Sequence, residues 1–242
     1  MATAKKIIPI KNVTAWSFSR YGEYKKCPAL TKYKVIEKRK EPGNKAMERG
    51  NLIHKLAEDY VKGDLAKLPP ELLGFKAEFA KLRKMYKAKV RKITVEDSWA
   101  FRKDWSETTW DDWNECWVRI KLDCAHMEED GVLIVTDYKT GKYREEQNAD
   151  YVEQLELYSL AAFLKYETVH TVLPRLMYLD LGMIFNGGAE PIVHTRADLP
   201  RLKKIWEKRT KPLLSDTTFA PRPSNNCRWC HFSSAKSGPC QY

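Results

Sequence analysis

Asp137 and Lys139 stand two residues apart in the run Val135-Thr136-Asp137-Tyr138-Lys139-Thr140-Gly141. On a strand, residues two apart project from the same face, ~6.6 Å apart along the chain at ~3.3 Å per residue. A second run, Ile120-Lys121-Leu122-Asp123, precedes it, and Glu128-Glu129-Asp130-Gly131 between the two reads as the turn of a hairpin. A hairpin closed at that turn carries Asp123 and Asp137 to the same end of the sheet. Two carboxylates so placed repel, and a hard, oxygen-seeking ion such as Mg2+ relieves the repulsion. With a phosphate oxygen and a water completing the shell of that ion, the chemistry is metal-assisted phosphodiester hydrolysis, and Lys139 would hold or deprotonate the attacking water. A lone Asp-x-Lys is expected about once by chance in a chain this rich in lysine, and alone it reads as a surface ion pair at a strand end. Its context raises it: apolar strands lead into each acid, and Gln154-Leu-Glu-Leu-Tyr158 follows.

The cysteines suggest a second centre. Six stand at 27, 116, 124, 227, 230 and 240. The first nine residues lack the apolar run of ~7 to 15 residues that a secretory signal needs, so a cytoplasmic protein without a disulfide framework is expected. Cys227 and Cys230 form a Cys-x-x-Cys pair in a loop rich in Pro and Asn; Cys240 follows, and Cys27-Pro28 offers a distant fourth thiolate. Four thiolates suit zinc and an iron-sulfur cluster alike, and a three-cysteine site completed by His231 is a further arrangement. Cys27 alone would otherwise read as a small buried hydrophobe. Cys116 and Cys124 lack ligand spacing and are expected to be buried thiols.

The elements that must position these residues can be read from the hydrophobic period. Ser17 and Ser19 are N-cap candidates for a helix through Lys26, ended by Pro28. Helices are predicted over 46–61, with Ile53, Leu56, Ala57, Tyr60 and Val61 as the apolar stripe, and over 72–89, 154–166 and 199–214. Gly50 and His54, four apart, share another face of the first of these. Strands are predicted over 92–101, 117–125, 132–139 and 171–181, with an edge strand near 191–194. This order implies an α/β protein: a single mixed domain over 1–242 with a central mixed β-sheet flanked by helices. It would comprise a helical part over about 16–90, a sheet core over about 91–182, and a C-terminal helix with the cysteine tail over about 190–242.

The 242 residues carry 43 Lys and Arg against 32 Asp and Glu, a net charge of +11. The sequence pI is near 9.2 and the mean hydropathy is −0.58. A bilayer span needs ~20 apolar residues, and no run approaches that. Ten of the eleven excess charges fall within the first 55 residues, which hold fourteen basic residues and four acidic ones. Such a face suits a polyanion. Five tryptophans, Trp99, Trp105, Trp110, Trp113 and Trp117, crowd one segment. Most are expected in the core, with the stretch 110–113 as an exposed loop tip able to meet DNA.

Taken in order, Gly50-x-x-x-His54, Asp123, Asp137-Tyr138-Lys139-Thr140 and Gln154-x-x-x-Tyr158 resemble the PD-(D/E)xK nuclease superfamily, and within it the RecB-like exonuclease branch. The opening Ser17-Phe-Ser-Arg-Tyr-Gly-Glu-Tyr-Lys-Lys-Cys27-Pro28, with Cys227, Cys230 and Cys240, is similar to iron-sulfur members of that branch, among them the AddB nuclease and small CRISPR-associated exonucleases. The resemblance implies a restriction-endonuclease-like core whose N- and C-terminal segments are joined by the cysteine site. It implies Mg2+ or Mn2+ held by His54, Asp123, Asp137 and the Tyr138 carbonyl. Lys139 would position the water, and Gln154 and Tyr158 would orient Lys139 and the DNA strand. Glu96, in the first strand, stands where some relatives carry an acid. A 4Fe-4S cluster, or Zn2+ in its place, would sit on Cys27, Cys227, Cys230 and Cys240. The expected activity is exonucleolytic hydrolysis of linear DNA in recombination, repair or end processing, alone or with a partner protein and with a phage as one expected source, with Arg20, Lys25, Lys26 and Arg49 as DNA contacts. The alternative is a catalytically silent DNA-binding or partner-docking module on the same fold.

Overall fold

A computed structural model describes residues 12–89 and 92–242; the reading of the first nine residues falls outside them. The described residues form two compact units, one of residues 12–42 with 207–242 and one within residues 43–206.

In the first unit the N- and C-terminal segments pack together. Helix α1, Phe18–Lys26, is capped by the Ser17 hydroxyl, which accepts the Arg20 N–H, and Pro28 opens the short helix α2, Pro28–Thr31. Tyr24 donates to Asp216 at 2.9 Å and meets Phe219 edge-on, while Tyr33 packs on Phe232. The Arg222 guanidinium reaches the Lys25 carbonyl at 2.6 Å.

The second unit is built around a mixed sheet in the order β2-β1-β3-β4-β5-β6, with β7 also paired to β5. Its strands are β1 Ile93–Phe101, β2 Glu107–Thr108, β3 Val118–Glu129, β4 Val132–Lys139, β5 Thr171–Tyr178, β6 Met183–Phe185 and β7 His194–Thr195. The hairpin of β3 and β4 closes at the expected turn, where Gly131 takes a positive φ of 75°. β4 and β5 run parallel, which requires a crossover, and helix α5, Asn148–Lys165, provides it.

Alternation along the strands divides the sheet into two faces. Cys124, Tyr138 and Met177 point to a core filled by Ile53, Ala57 and Val61 of helix α3, Lys45–Lys62, and by Phe79 and Leu82 of helix α4, Lys76–Ala88. Asp137 points the other way, toward α5, where its carboxylate meets Gln154 and Tyr158. That helix buries nine residues around its girth, including Gln154 and Tyr158.

Several boundaries differ from expectation. α5 starts at Asn148, six residues before Gln154, because the Glu145–Gln147 turn leads directly into it. The segment before α4 is a 3-10 turn, Pro70–Phe75, and not α-helix. A Cβ at Gly74 would lie 3.4 Å from the Gly182 Cα, so this turn runs close against another backbone. β5 stops at Tyr178, and the expected edge strand near 191–194 shrinks to the two residues of β7. Trp99, Trp105 and Trp117 are buried, as are Cys116 and Cys124, while Trp110 and Trp113 are exposed. Helix α6, Leu199–Ser215, lies where the period placed it. Among the described residues no helix is long and apolar enough to cross a membrane.

Candidate functional site

Sheet register assembles the acidic residues. In the β1–β3 ladder Val95 faces Cys124 and Asp97 faces Leu122, which brackets Glu96 opposite Asp123. In the β3–β4 ladder Cys124 faces Thr136, so Asp123 and Asp137 occupy the next facing positions. Glu96, Asp123 and Asp137 thus form a row across three adjacent strands. Glu96 holds its place with a φ of 52°, a left-handed conformation that few non-glycine residues adopt and that commonly accompanies a functional site.

Helix α3 brings His54 to this row. Its Nδ1 lies 3.1 Å from Asp123 Oδ1 and 3.7 Å from Glu96 Oε1. Burial opposes charge on the imidazole, but the bonds to Asp123 and Glu96 outweigh it and carry the His54 pKa up to about 10. Burial and the neighbouring Asp137 push Asp123 up to about 6, although its Oδ2 accepts the Tyr138 N–H at 2.5 Å. Burial also acts against the Glu96 anion, and the His54 bond with the Lys121 ammonium at 2.8 Å overcomes it, leaving Glu96 below the usual range.

The ligand atoms of His54, Glu96 and Asp123 all lie within 4.8 Å of one another. The residues fit a divalent cation. Asp123 is held up by its acidic neighbour in a buried setting, and charge of the opposite sign is the remedy for that repulsion.

Asp137 is held from three sides. Its Oδ2 lies 2.7 Å from Lys139 Nζ. Its Oδ1 accepts the Tyr158 hydroxyl and the Gln154 amide, the latter at 3.2 Å, and Gln154 also donates to Tyr158 at 2.8 Å. Residues four apart on a helix lie side by side, so α5 presents both groups together. Here the structure differs from expectation: the bonds of Gln154 and Tyr158 reach Asp137 and not Lys139, because α5 packs on the face from which Asp137 projects. Tyr138 contributes its backbone N–H, while its ring lies on the far side of the sheet, 5.5 Å from Phe79.

At Gly50 α3 passes the turn after Lys139, where a Cβ would stand 3.4 Å from Thr140 Oγ1, close to ordinary contact. Arg49, one residue earlier, forms a two-bonded pair with Asp180. The expectation that Arg49 contacts DNA must therefore accommodate a guanidinium already engaged by a carboxylate. The other expected contacts, Arg20, Lys25 and Lys26, lie in the first unit. Arg20 donates to the Ala15 carbonyl, Lys25 lies over the Tyr21 ring and Lys26 is exposed.

Within the first unit Cys27, Cys227, Cys230 and Cys240 are all partly exposed. The Arg222 N–H donates to Cys27 Sγ at 3.3 Å and the Ser224 N–H to Cys227 Sγ at 3.4 Å. Burial raises the Cys230 thiol, and Cys27 and Cys240 raise it further, as neighbouring thiolates would.

The residues that sequence reasoning left out of the site are Lys121 and Asp180, and Glu96 was weighed only as a candidate. The resemblance pointed to Glu96, but its place opposite Asp123 depends on the β1–β3 register, which no short turn fixes.

Among curated proteins none matches the sequence. Two solved structures resemble it: that of SSO0001, at 14% identity and a TM-score of 0.46, covering 92% of this chain and 85% of the other, and that of a protein from Eubacterium rectale provisionally named an exonuclease, at 14% identity and a TM-score of 0.46, covering 93% and 87%. Likenesses of that degree carry no argument. The family model for the PD-(D/E)XK nuclease superfamily, however, matches residues 15–235, which take in the whole row of acids, Lys139, Gln154 and Tyr158. The α/β arrangement, a mixed sheet between helices, agrees with the restriction-endonuclease-like fold. The chain belongs to the PD-(D/E)XK nuclease superfamily.

Proposed function

We propose that the chain is a Mg2+- or Mn2+-dependent exonuclease that hydrolyses phosphodiester bonds of linear DNA, working as one nuclease domain in the RecB-like branch. The observation that carries this is the row Glu96, Asp123 and Asp137, with His54 against Asp123 and Lys139 against Asp137. His54, Asp123 and Asp137, with Glu96 and the Tyr138 carbonyl, would hold the ion. When bound, the ion neutralises phosphate charge and makes a nucleophile of water at neutral pH. Lys139 donates a hydrogen bond to the attacking water and offsets charge on the phosphate. Gln154 and Tyr158 fix the Asp137 carboxylate. Arg20, Lys25, Lys26 and Arg49 would guide the DNA backbone, and recombination, repair or end processing in a cytoplasm, that of a bacterial host if phage-encoded, with or without a partner protein, is the setting.

The test is a digestion series on end-labelled linear single strands, linear duplex and circular DNA with each divalent ion. Degradation from ends that is lost in Lys139→Ala supports the reading. Wild-type protein that binds DNA and leaves every end intact would identify a DNA-binding or partner-docking module instead.

The same proposal places a 4Fe-4S cluster, or Zn2+ in its place, on Cys27, Cys227, Cys230 and Cys240, supported by the N–H donors at two of the sulfurs. Anaerobically purified protein should be brown with about four irons per chain. Colourless protein with stoichiometric zinc would assign Zn2+ to the site.

A further inference from the structure

The loop between β2 and β3 takes no part in the carboxylate site, yet it displays two indole rings. Trp113 is 76% exposed and Trp110 36%. The loop is nonetheless well braced. Asp112 accepts the Thr108 hydroxyl at 2.7 Å and the Glu115 N–H at 3.0 Å, and Arg102 lies 3.7 Å away. Trp105 and Trp117 are buried in the same segment, edge to face at 4.9 Å. Arg119, at the start of β3, donates to the Trp110 carbonyl at 3.0 Å, and its guanidinium lies 4.6 Å from the Trp113 ring centre and 5.7 Å from that of Trp110.

A rigid loop that holds an arginine over two exposed indoles resembles no core device. It leaves π surface beside a cation, the combination on which unpaired bases stack; bases in a duplex have their faces covered by their neighbours. A large protein interface would surround the rings with further apolar surface. Here the residues around the rings, Asp111, Asn114 and Glu115, are exposed and polar. Asp111 and Glu115 also repel phosphates, so bases are the part of a strand that can approach. The platform lies within reach of the site: Arg119 and Asp123 share β3, ~13 Å apart at ~3.3 Å per residue, a span of a few nucleotides.

We propose that Trp110, Trp113 and Arg119 form a stacking platform for the unpaired bases of a single-stranded tail leading to the carboxylate site. This rests on the nuclease reading and sharpens its substrate class to DNA with an unpaired strand.

The experiment measures binding of the full chain, with divalent ions chelated, to a labelled oligothymidylate and to a blunt hairpin duplex. Trp113→Ala is expected to weaken oligothymidylate binding about tenfold or more, by a factor that persists at high salt, and to weaken duplex binding far less. Trp113→Phe should keep most of the affinity. Unchanged melting of both variants, expected for so exposed a side chain, would show that folding is intact. The proposal is overturned if wild-type protein does not bind oligothymidylate, or if Trp113→Ala and Trp110→Ala both bind it as wild type does. Digestion by wild-type protein alongside that second result would sink the platform and leave the nuclease reading standing. Lost binding in Trp113→Ala, with no digestion by wild type under any ion, would do the reverse.

Discussion

Arg49 on α3 and Asp180 after β5 are joined by two hydrogen bonds, at 2.8 Å and 2.7 Å, and the same Asp180 carboxylate accepts the Gly141 N–H at 2.6 Å. One carboxylate therefore ties the helix that carries Gly50 and His54 to the turn that follows Lys139. Gly141 makes that turn with a φ of 87°. Because the pair is exposed, Asp180→Ala should leave the melting temperature close to wild type. With the turn released, Lys139 loses its placement and kcat should fall about tenfold. Melting curves and digestion rates measured side by side decide the matter; a large loss of stability with kcat unchanged would contradict it.

Gly50 lies within α3, where glycine costs roughly 0.8–1 kcal/mol relative to alanine. A Cβ would meet Thr140 Oγ1 at 3.4 Å, close to ordinary van der Waals contact. Gly50→Ala should therefore remain active and gain up to about 1 kcal/mol in urea denaturation. Gly50→Leu should push Thr140 aside and lower kcat without unfolding the protein.

Tyr158 is buried, and its hydroxyl both donates to Asp137 and accepts from Gln154. Tyr158→Phe removes those bonds while keeping the ring. A buried acceptor deprived of a donor costs about 1–3 kcal/mol, and the carboxylate also loses a restraint on its orientation. Both stability and kcat should fall, and Gln154→Ala combined with Tyr158→Phe should cost less than the sum of the separate effects, since the two groups share Asp137. Strict additivity in that double-mutant cycle would argue against a shared role.

His126 titrates out of the ordinary range for reasons unconnected with the carboxylates. It is fully buried on β3, and burial, aided by the nearby Arg175, lowers its pKa to about 4. The unfolded value is about 6.5, so the folded protein resists protonation. Stability is thus full above pH ~6.5 and declines as pH falls toward 4, by about 3 kcal/mol for this group. Denaturation midpoints between pH 7 and pH 4 should reveal the slope, and His126→Leu should flatten it.

Much of the fold was legible because its determinants are local. The Glu128-Glu129-Asp130-Gly131 turn closes the β3–β4 hairpin with Glu129 opposite Val132, and a one-residue shift between Met127 and Glu129 then brings Asp123 opposite Asp137. The two-residue period of a strand explains why Asp137 and Lys139 meet at 2.7 Å. The apolar stripe of α3 and the Ser17 cap were likewise written within a few residues. The start of α5 was not, because Asn148 and Asp150 read as turn formers and only packing of a helix buried around its girth overrides that preference.

By itself the sequence determined which residues are chemically capable: paired carboxylates with a lysine, a helix histidine behind a glycine, and a set of cysteines split between the two ends of the chain. The tertiary structure decided which of them meet. Glu96 joins the row only through the β1–β3 register, whose strands are linked by the long stretch from Phe101 to Val118 and not by a tight turn. Gln154 and Tyr158 bond Asp137 because of the face on which α5 docks, and Arg49 is engaged by an acid 131 residues away. Spacing within an element follows from backbone geometry, but pairing between elements is set by burial of the core, which no short segment encodes.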